Sequence, residues 1–351
     1  MMRFIHIADV HLGAQPDAGS AYSAGRPQEI WESFSQVIAL CEEEKTDVLL
    51  IAGDLFHRQP LLRELKEVNY LFSTLSHTEV VFIVGNHDYI KKGSYYRTFQ
   101  WNENVHPLLG SELGYVMLPE LDLAVYGFSY HAREIREERY NLKAPGTAEH
   151  EILLAHGGDE KHVPVRTDAF ENSGFDYVAL GHIHKPQALV KNLAVYAGAL
   201  EPVDKNDTGQ HGFVRGEITE KGTHVEFVPY ASREYFHLAL RVNESMTNGS
   251  VKDYIKGTVE KRGVQNVYKF ILRGYRDADV EFDTAHMDVY GNILEIEDET
   301  RPAYDYQKLY EENQDNLIGK FIGEFSGCTE GSIEYQALQE GVQALLENSL
   351  I

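Results

Sequence analysis

The 351-residue chain has only two cysteines, Cys41 and Cys328. They cannot build a disulfide framework, and such scarcity fits a reducing compartment. Long apolar runs are missing too. The longest, 48–52 and 80–84, are of strand length, well short of the roughly 18 residues a membrane span needs. The opening stretch MMRFIHIADVHLG carries an acid and a histidine where a signal peptide needs an apolar core, so a cytoplasmic location and no membrane partner are expected. Cations are few: 32 Lys and Arg face 55 Asp and Glu, a formal net charge of −23. A surface of that sign does not coat nucleic acid by itself. The deficit is uneven, however. Residues 51–100 hold six basic and five acidic side chains, whereas every other block of about fifty is net negative.

What the chain does have is a regular alternation of apolar runs. Residues 3–8, 47–52 and 79–84 read as strands, separated by helices over 28–44 and 61–76. The first helix puts Ile30, Phe34, Val37, Ile38 and Cys41 on one face, with Pro27 near its start. Further strands are predicted at 123–128, 151–155, 176–180, 194–197, 212–218 and 224–229. Early βαβ alternation predicts a mainly parallel sheet, and the later short strands a second layer. A different pattern begins near Glu234, with strands at 236–242, 266–273 and 292–296 and a helix at 250–262. Residues 304–351 read as helical. Their stripes (Leu317, Ile318, Phe321, Ile322, Phe325; then Tyr335, Leu338, Val342, Leu345, Leu346) are read as core ahead of docking surface. The Arg and Glu alternation over 133–139 predicts a salt-bridged helix face.

Five predicted strands end in metal-ligating residue types. They are followed by Asp9-Val10-His11, Gly53-Asp54 with His57 close behind, Gly85-Asn86-His87-Asp88, His156-Gly157 and Gly181-His182-Ile183-His184. In a parallel α/β sheet such ends converge on one edge. A single polar residue there is ordinary loop chemistry, but five sets in order point to a metal centre. Carboxylates, a carboxamide and imidazoles without thiolate suit Mn²⁺, Fe²⁺ or Zn²⁺ in a catalytic site. The donors are too many for one ion and enough for two bridged by a carboxylate. An amidohydrolase barrel also uses paired histidines, but its His-x-His comes on the first strand, and here it comes last.

The order of these motifs resembles the calcineurin-like metallophosphoesterases over about residues 1–230. Within them the chain is similar to SbcD-type nucleases, bacterial counterparts of the meiotic-recombination-eleven nuclease, and to the YhaO-like branch. Asp9 through Gly13, Gly53 through His57, Tyr196 through Glu201 with Gly212-Phe213, and the unit after Glu234 carry that closer likeness. The resemblance implies a two-layered β-sandwich of mixed sheets flanked by helices (1–232), a small α/β capping domain (233–303) and a helical C-terminal segment (304–351). It implies that Asp9, His11, Asp54 and His184 hold one metal and Asp54, Asn86, His156 and His182 the other, with Mn²⁺ first among the candidates. It makes His87 the residue over the scissile phosphate, Asp88 its orienting partner and His57 a nucleotide-positioning residue. The activity implied is a Mn²⁺-dependent DNA exonuclease or endonuclease, with in-line attack by a metal-bridging hydroxide. The implied partners are DNA, a coiled-coil ATPase of the SbcC type and a second copy of the chain. The alternative is a phosphodiesterase or phosphatase for small nucleotides or phosphoproteins. Lys91, Lys92 and Arg97, interleaved with Tyr89, Tyr95 and Tyr96, read equally as a candidate DNA-contact strip and as a solvated loop. The histidines outside these motifs, His162 among them, are expected to be structural.

Overall fold

The structure is a computed structural model. It describes residues 1–329 and 331–349. The chain divides into two compact units, the first spanning Met1–Phe236 with Gln265–Val267, the second formed by His237–Val264 and the residues from Tyr268 onward. In the first unit the chain runs β1 (Met2–Ile7), α1 (Arg26–Glu44), β2 (Val48–Ala52), α2 (Leu62–Ser73), β3 (Glu79–Ile83) and β4 (Val105–Pro107). It continues through β5 (Gly114–Leu118), β6 (Leu123–Gly127), β7 (His150–His156), α3 (Thr167–Glu171) and β8 (Tyr177–Gly181). It ends with β9 (Gln187–Val190), β10 (Ala194–Tyr196), β11 (Gly212–Thr219) and β12 (Gly222–Pro229).

These strands make two six-stranded sheets, ordered β12-β11-β1-β2-β3-β4 and β5-β6-β7-β8-β10-β9. β1 to β4 are mutually parallel, as are β6, β7, β8 and β10, while β11 runs antiparallel between β1 and β12, and the edge strands β5 and β9 run antiparallel to their neighbours. The sheets are therefore mixed, and they pack face to face. Val48, Leu50 and Val81 from one join Leu123, Val125, Ile152 and Leu154 from the other in one buried cluster. The outer face of the first sheet is covered by the predicted stripe of α1 (Ile30, Phe34, Val37, Ile38, Cys41) and by Leu65, Val68 and Phe72 of α2. Being covered on both sides explains why β2 reads as an unbroken apolar run, Val-Leu-Leu-Ile-Ala, with every residue buried. Among the described residues no helix is long and apolar enough to cross a membrane.

The second unit holds most of a sheet of β13 (Tyr235–Val242), β14 (Val267–Asp277) and β15 (Ile293–Asp298), with β16 (Arg301–Ala303) beside β14. Its helices are α4 (Asn248–Arg262), α5 (Tyr306–Glu312), α6 (Leu317–Glu324) and α7 (Ile333–Ser349). The C-terminal stripes pack on each other: Ile318, Ile322, Leu338 and Val342 form a core flanked by Phe321, Phe325, Tyr335, Leu345 and Leu346. Leu317 departs from the stripe and is 65% exposed. Residues 330, 350 and 351 of the predicted helical segment lie outside the described residues.

One expectation is corrected. Residues 133–139 are not helical. The backbone there pairs with a neighbouring loop, Ile135 N–H donating to Lys161 O and Val163 N–H to Ile135 O. The ion pairs that form, Arg136 with Glu134 and Arg139 with Glu137, are two residues apart, a spacing that suits extended backbone.

Candidate metal centre

The C-terminal ends of β1, β2, β3, β7 and β8 meet at one edge of the sandwich. Asp9, His11 and Asp54 there have φ of 49°, 53° and 49°, and His182 has 95°. Side chains other than glycine rarely adopt such values, and strained backbone of this kind clusters where a site over-determines it. The neighbouring glycines are set by space. A Cβ on Gly85 would lie 2.2 Å from Asp54 Oδ1, and one on Gly53 would lie 2.3 Å from His156 Nδ1. The ligand-type side chains thus lie directly on the backbone of adjacent strand ends.

Hydrogen bonds behind the imidazoles fix which nitrogen faces inward. His156 Nδ1 donates to the carbonyl of Ala52 at 2.9 Å, so in the neutral ring Nε2 carries the lone pair. That Nε2 lies 2.9 Å from Asn86 Oδ1 and 3.3 Å from Asp54 Oδ2. His182 Nε2 donates to Asp159 at 2.8 Å, which leaves Nδ1 3.1 Å from the same Asn86 oxygen. His184 Nδ1 donates to Asp207 at 3.0 Å, and its Nε2 faces His11 Nε2 at 3.1 Å. Lone pairs and carboxylate oxygens therefore converge. The ligand atoms of Asp9, His11 and His184 all lie within 4.8 Å of one another, as do those of Asp9, Asp54 and His156. Such a donor set fits divalent cations.

Electrostatics match this arrangement. Burial opposes charge on Asp54, but the charge and hydrogen bond of His156, with His11 and His87, hold its carboxyl below the usual range. Burial raises the pKa of nearby Asp9, despite His156 and His184. Burial likewise disfavours charge on His156 and His184, yet Asp54 at the first and Asp207 at the second outweigh it, raising each to about 9. Those rings must release a proton to ligate a cation. His11 and His182 are held neutral by burial, the latter's pKa lowered to about 4.

His87 is gripped through its backbone, its N–H donating to Asp54 Oδ1 at 2.8 Å, while its Nδ1 lies 3.2 Å from the carbonyl of His57. Its ring stands edge-on to His11 and tilted against His57, with centroids 4.8 and 5.1 Å away. His57 Nδ1 is 3.4 Å from His11 Nδ1. Asp88 is not joined to the His87 ring. Its carboxylate accepts from Phe56 N–H, Gly85 N–H and the Tyr96 hydroxyl at 3.2, 3.0 and 2.8 Å. It braces the loop, and the His57 carbonyl is what faces the His87 ring. Burial and the charge of Asp54 raise Asp88 to about 7.

In the basic strip, Lys91 and Lys92 are exposed. Arg97 is also exposed, but its guanidinium holds the carbonyls of Lys91 and Ile90. Tyr95 is exposed, whereas Tyr96 is buried against Asp88 and belongs to the core.

Three residues of this neighbourhood escaped the sequence reading. Asp159 and Asp207 orient His182 and His184, and His162 shares Asp159 through Nδ1 at 2.9 Å. The only available signal was an acid three residues after His156 and another in a turn-rich 204–209 stretch, where carboxylates are ordinary.

Comparison with known proteins agrees with this geometry. The calcineurin-like phosphoesterase family matches residues 2–186. The chain is 28% identical over 298 residues to the uncharacterized metallophosphoesterase YhaO of Bacillus subtilis, covering 78% of this chain and 72% of that protein. It is 30% identical over 224 residues to the DNA double-strand break repair protein Mre11 of Halobacterium salinarum, covering 61% of this chain and 55% of the relative. With a subunit of the nuclease SbcCD from Staphylococcus saprophyticus it shares 22% identity over 390 residues, 99% of each. The chain thus spans little more than half of the Mre11 relative's length and most of the other two. With a family match over more than half its residues and the strand-end donors in place, the chain belongs to the calcineurin-like phosphoesterases and is a metal-dependent phosphoesterase.

Proposed function

We propose that the chain is a nuclease-type phosphodiesterase that works with two divalent cations, Mn²⁺ first among them. Asp9, His11, Asp54 and His184 would hold one, and Asp54, Asn86, His156 and His182 the other, so that Asp54 would serve both. The observation that carries this reading is the outward hydrogen bonding of His156, His182 and His184, which turns one lone pair of each inward onto Asn86, Asp54 and His11. When bound, two such cations neutralise phosphate charge and make water acidic enough to supply a nucleophile near neutral pH. The protein's own contribution is placement. His87, held through its N–H by Asp54 and through its ring by the carbonyl of His57, is at hand to give a proton to the leaving oxygen. His57, beside His11 and His87, faces the substrate side, and Asp88 keeps the loop in shape.

DNA is the substrate we propose, from the likeness to relatives named as a double-strand break repair protein and as part of a nuclease. Lys91 and Lys92, exposed in the one block that is not acidic, would meet its phosphates. Two divalent ions with Asp9 and Asp54 leave a centre of roughly +2, so a phosphate is drawn in although the surface repels a long polyanion. Tight duplex binding then calls for a partner, a coiled-coil ATPase of the SbcC type. The unit from His237 onward is the counterpart of a capping domain, and the site works in the cytoplasm.

The test is hydrolysis of linear duplex DNA and of bis-p-nitrophenyl phosphate with Mn²⁺, with the ATPase partner present. Cleavage of both supports the nuclease reading. Turnover of the small ester alone would assign the centre to small nucleotides or phosphoproteins instead.

A further inference from the structure

The two carboxylates behind the imidazoles are not equivalent. Asp207 Oδ2, 3.0 Å from His184 Nδ1, also accepts the N–H groups of Val203 and Asp204, each at 3.0 Å. Its side chain is 12% exposed. The main chain of its own turn therefore fixes Asp207 before it meets the histidine. Asp159 Oδ2, 2.8 Å from His182 Nε2, lies on a more open segment and is 48% exposed. It is shared with His162, whose Nδ1 is 2.9 Å away, and its other oxygen accepts the N–H groups of Lys161 and His162 at 2.7 and 3.0 Å.

Neither carboxylate bonds the other's histidine, and the two histidines face different partners. His184 Nε2 turns to His11, and His182 Nδ1 turns to Asn86. We infer that Asp207 and Asp159 are positioning residues allotted to separate cations, Asp207 to the one at Asp9, His11 and His184, and Asp159 to the one at Asn86, His156 and His182. This inference rests on the two-cation reading above. Each carboxylate fixes the tautomer and angle of one ring, so each sets the affinity of one ion and leaves the other alone. Asp207, less exposed than Asp159 and bonded to no second imidazole through its carboxylate, has the larger effect.

The experiment titrates the full chain with Mn²⁺ alone, following free ion by its six-line electron paramagnetic resonance signal. Asp207→Ala is expected to weaken one of two Mn²⁺ sites by about 10–100-fold, and Asp159→Ala the other, nearer the low end. Asp207→Ala combined with His184→Ala should cost no more than His184→Ala alone, because one acts through the other. Asp207→Ala and Asp159→Ala together should add. Asp207→Asn, which keeps an oxygen acceptor for His184, should recover part of the loss, as a merely structural role would not require. Thermal melting in chelator identifies variants that have lost their fold. If wild-type protein binds two Mn²⁺ and both alanine variants weaken the same ion, or neither, the allotment is wrong. If wild-type protein binds only one, the two-cation reading itself has failed.

Discussion

His87 takes its place from its neighbours' atoms. Its N–H is tied to Asp54 and its ring Nδ1 faces the His57 carbonyl, which leaves Nε2 as its working atom. Its ring groups with His11 and His57, apart from Asp9, Asp54 and His156, and its proposed task is proton transfer in place of ligation. His87→Ala should therefore leave Mn²⁺ binding nearly unchanged and lower kcat by about 10²–10⁴-fold, the range for loss of a general acid. Metal content measured beside turnover checks this, and a collapse of Mn²⁺ binding would make His87 a ligand. The same scale marks where reading residues in order stops. Asp9, His11, Asp54, Asn86, His156, His182 and His184 were legible because each follows an apolar run, and strand ends share an edge. Asp159 and Asp207 were not, since an acid in a turn looks the same whether it faces water or an imidazole. For Asp88 the resemblance implied contact with the His87 ring, yet its carboxylate accepts from the Tyr96 hydroxyl and from Phe56 and Gly85 N–H.

At the scale of elements, the site depends on how closely strand ends approach. Gly85 is among the tightest of these points, since a methyl group would sit 2.2 Å from Asp54 Oδ1 and 2.6 Å from Asp54 N. Neither contact can yield cheaply, because one is backbone and the other is the buried Asp54 carboxylate. Gly85→Ala should cost about 1–3 kcal/mol of stability and weaken Mn²⁺ binding. Gly93→Ala, where no atom lies within 4 Å, is the control. Urea unfolding of both, with and without Mn²⁺, gives the comparison, and equal behaviour would contradict the packing argument. The long parallel strands were legible to within a residue or two, because burial on both faces leaves an unbroken apolar run. Edge strands such as β4, β9 and β16 were not, being three or four residues long with no period to read. The Arg and Glu alternation over 133–139 misled for a definite reason: charge spacing says nothing of where the backbone N–H of Ile135 goes, and it goes to Lys161.

Taken whole, the molecule is an acidic protein with one edge that tolerates anions only if cations sit there. Its net charge of −23 was legible as an argument against DNA coating, and it remains one. What composition could not convey is that Asp54 has His156, His11 and His87 around it and converges with Asp9 and His156. The most direct test of the account is therefore Mn²⁺ stoichiometry by equilibrium titration in wild-type protein and in Asp54→Asn. Two Mn²⁺ per chain, with both affinities falling together in the variant, is the predicted result. Loss of one Mn²⁺ while the other binds as before would contradict the bridge, and with it the two-cation centre.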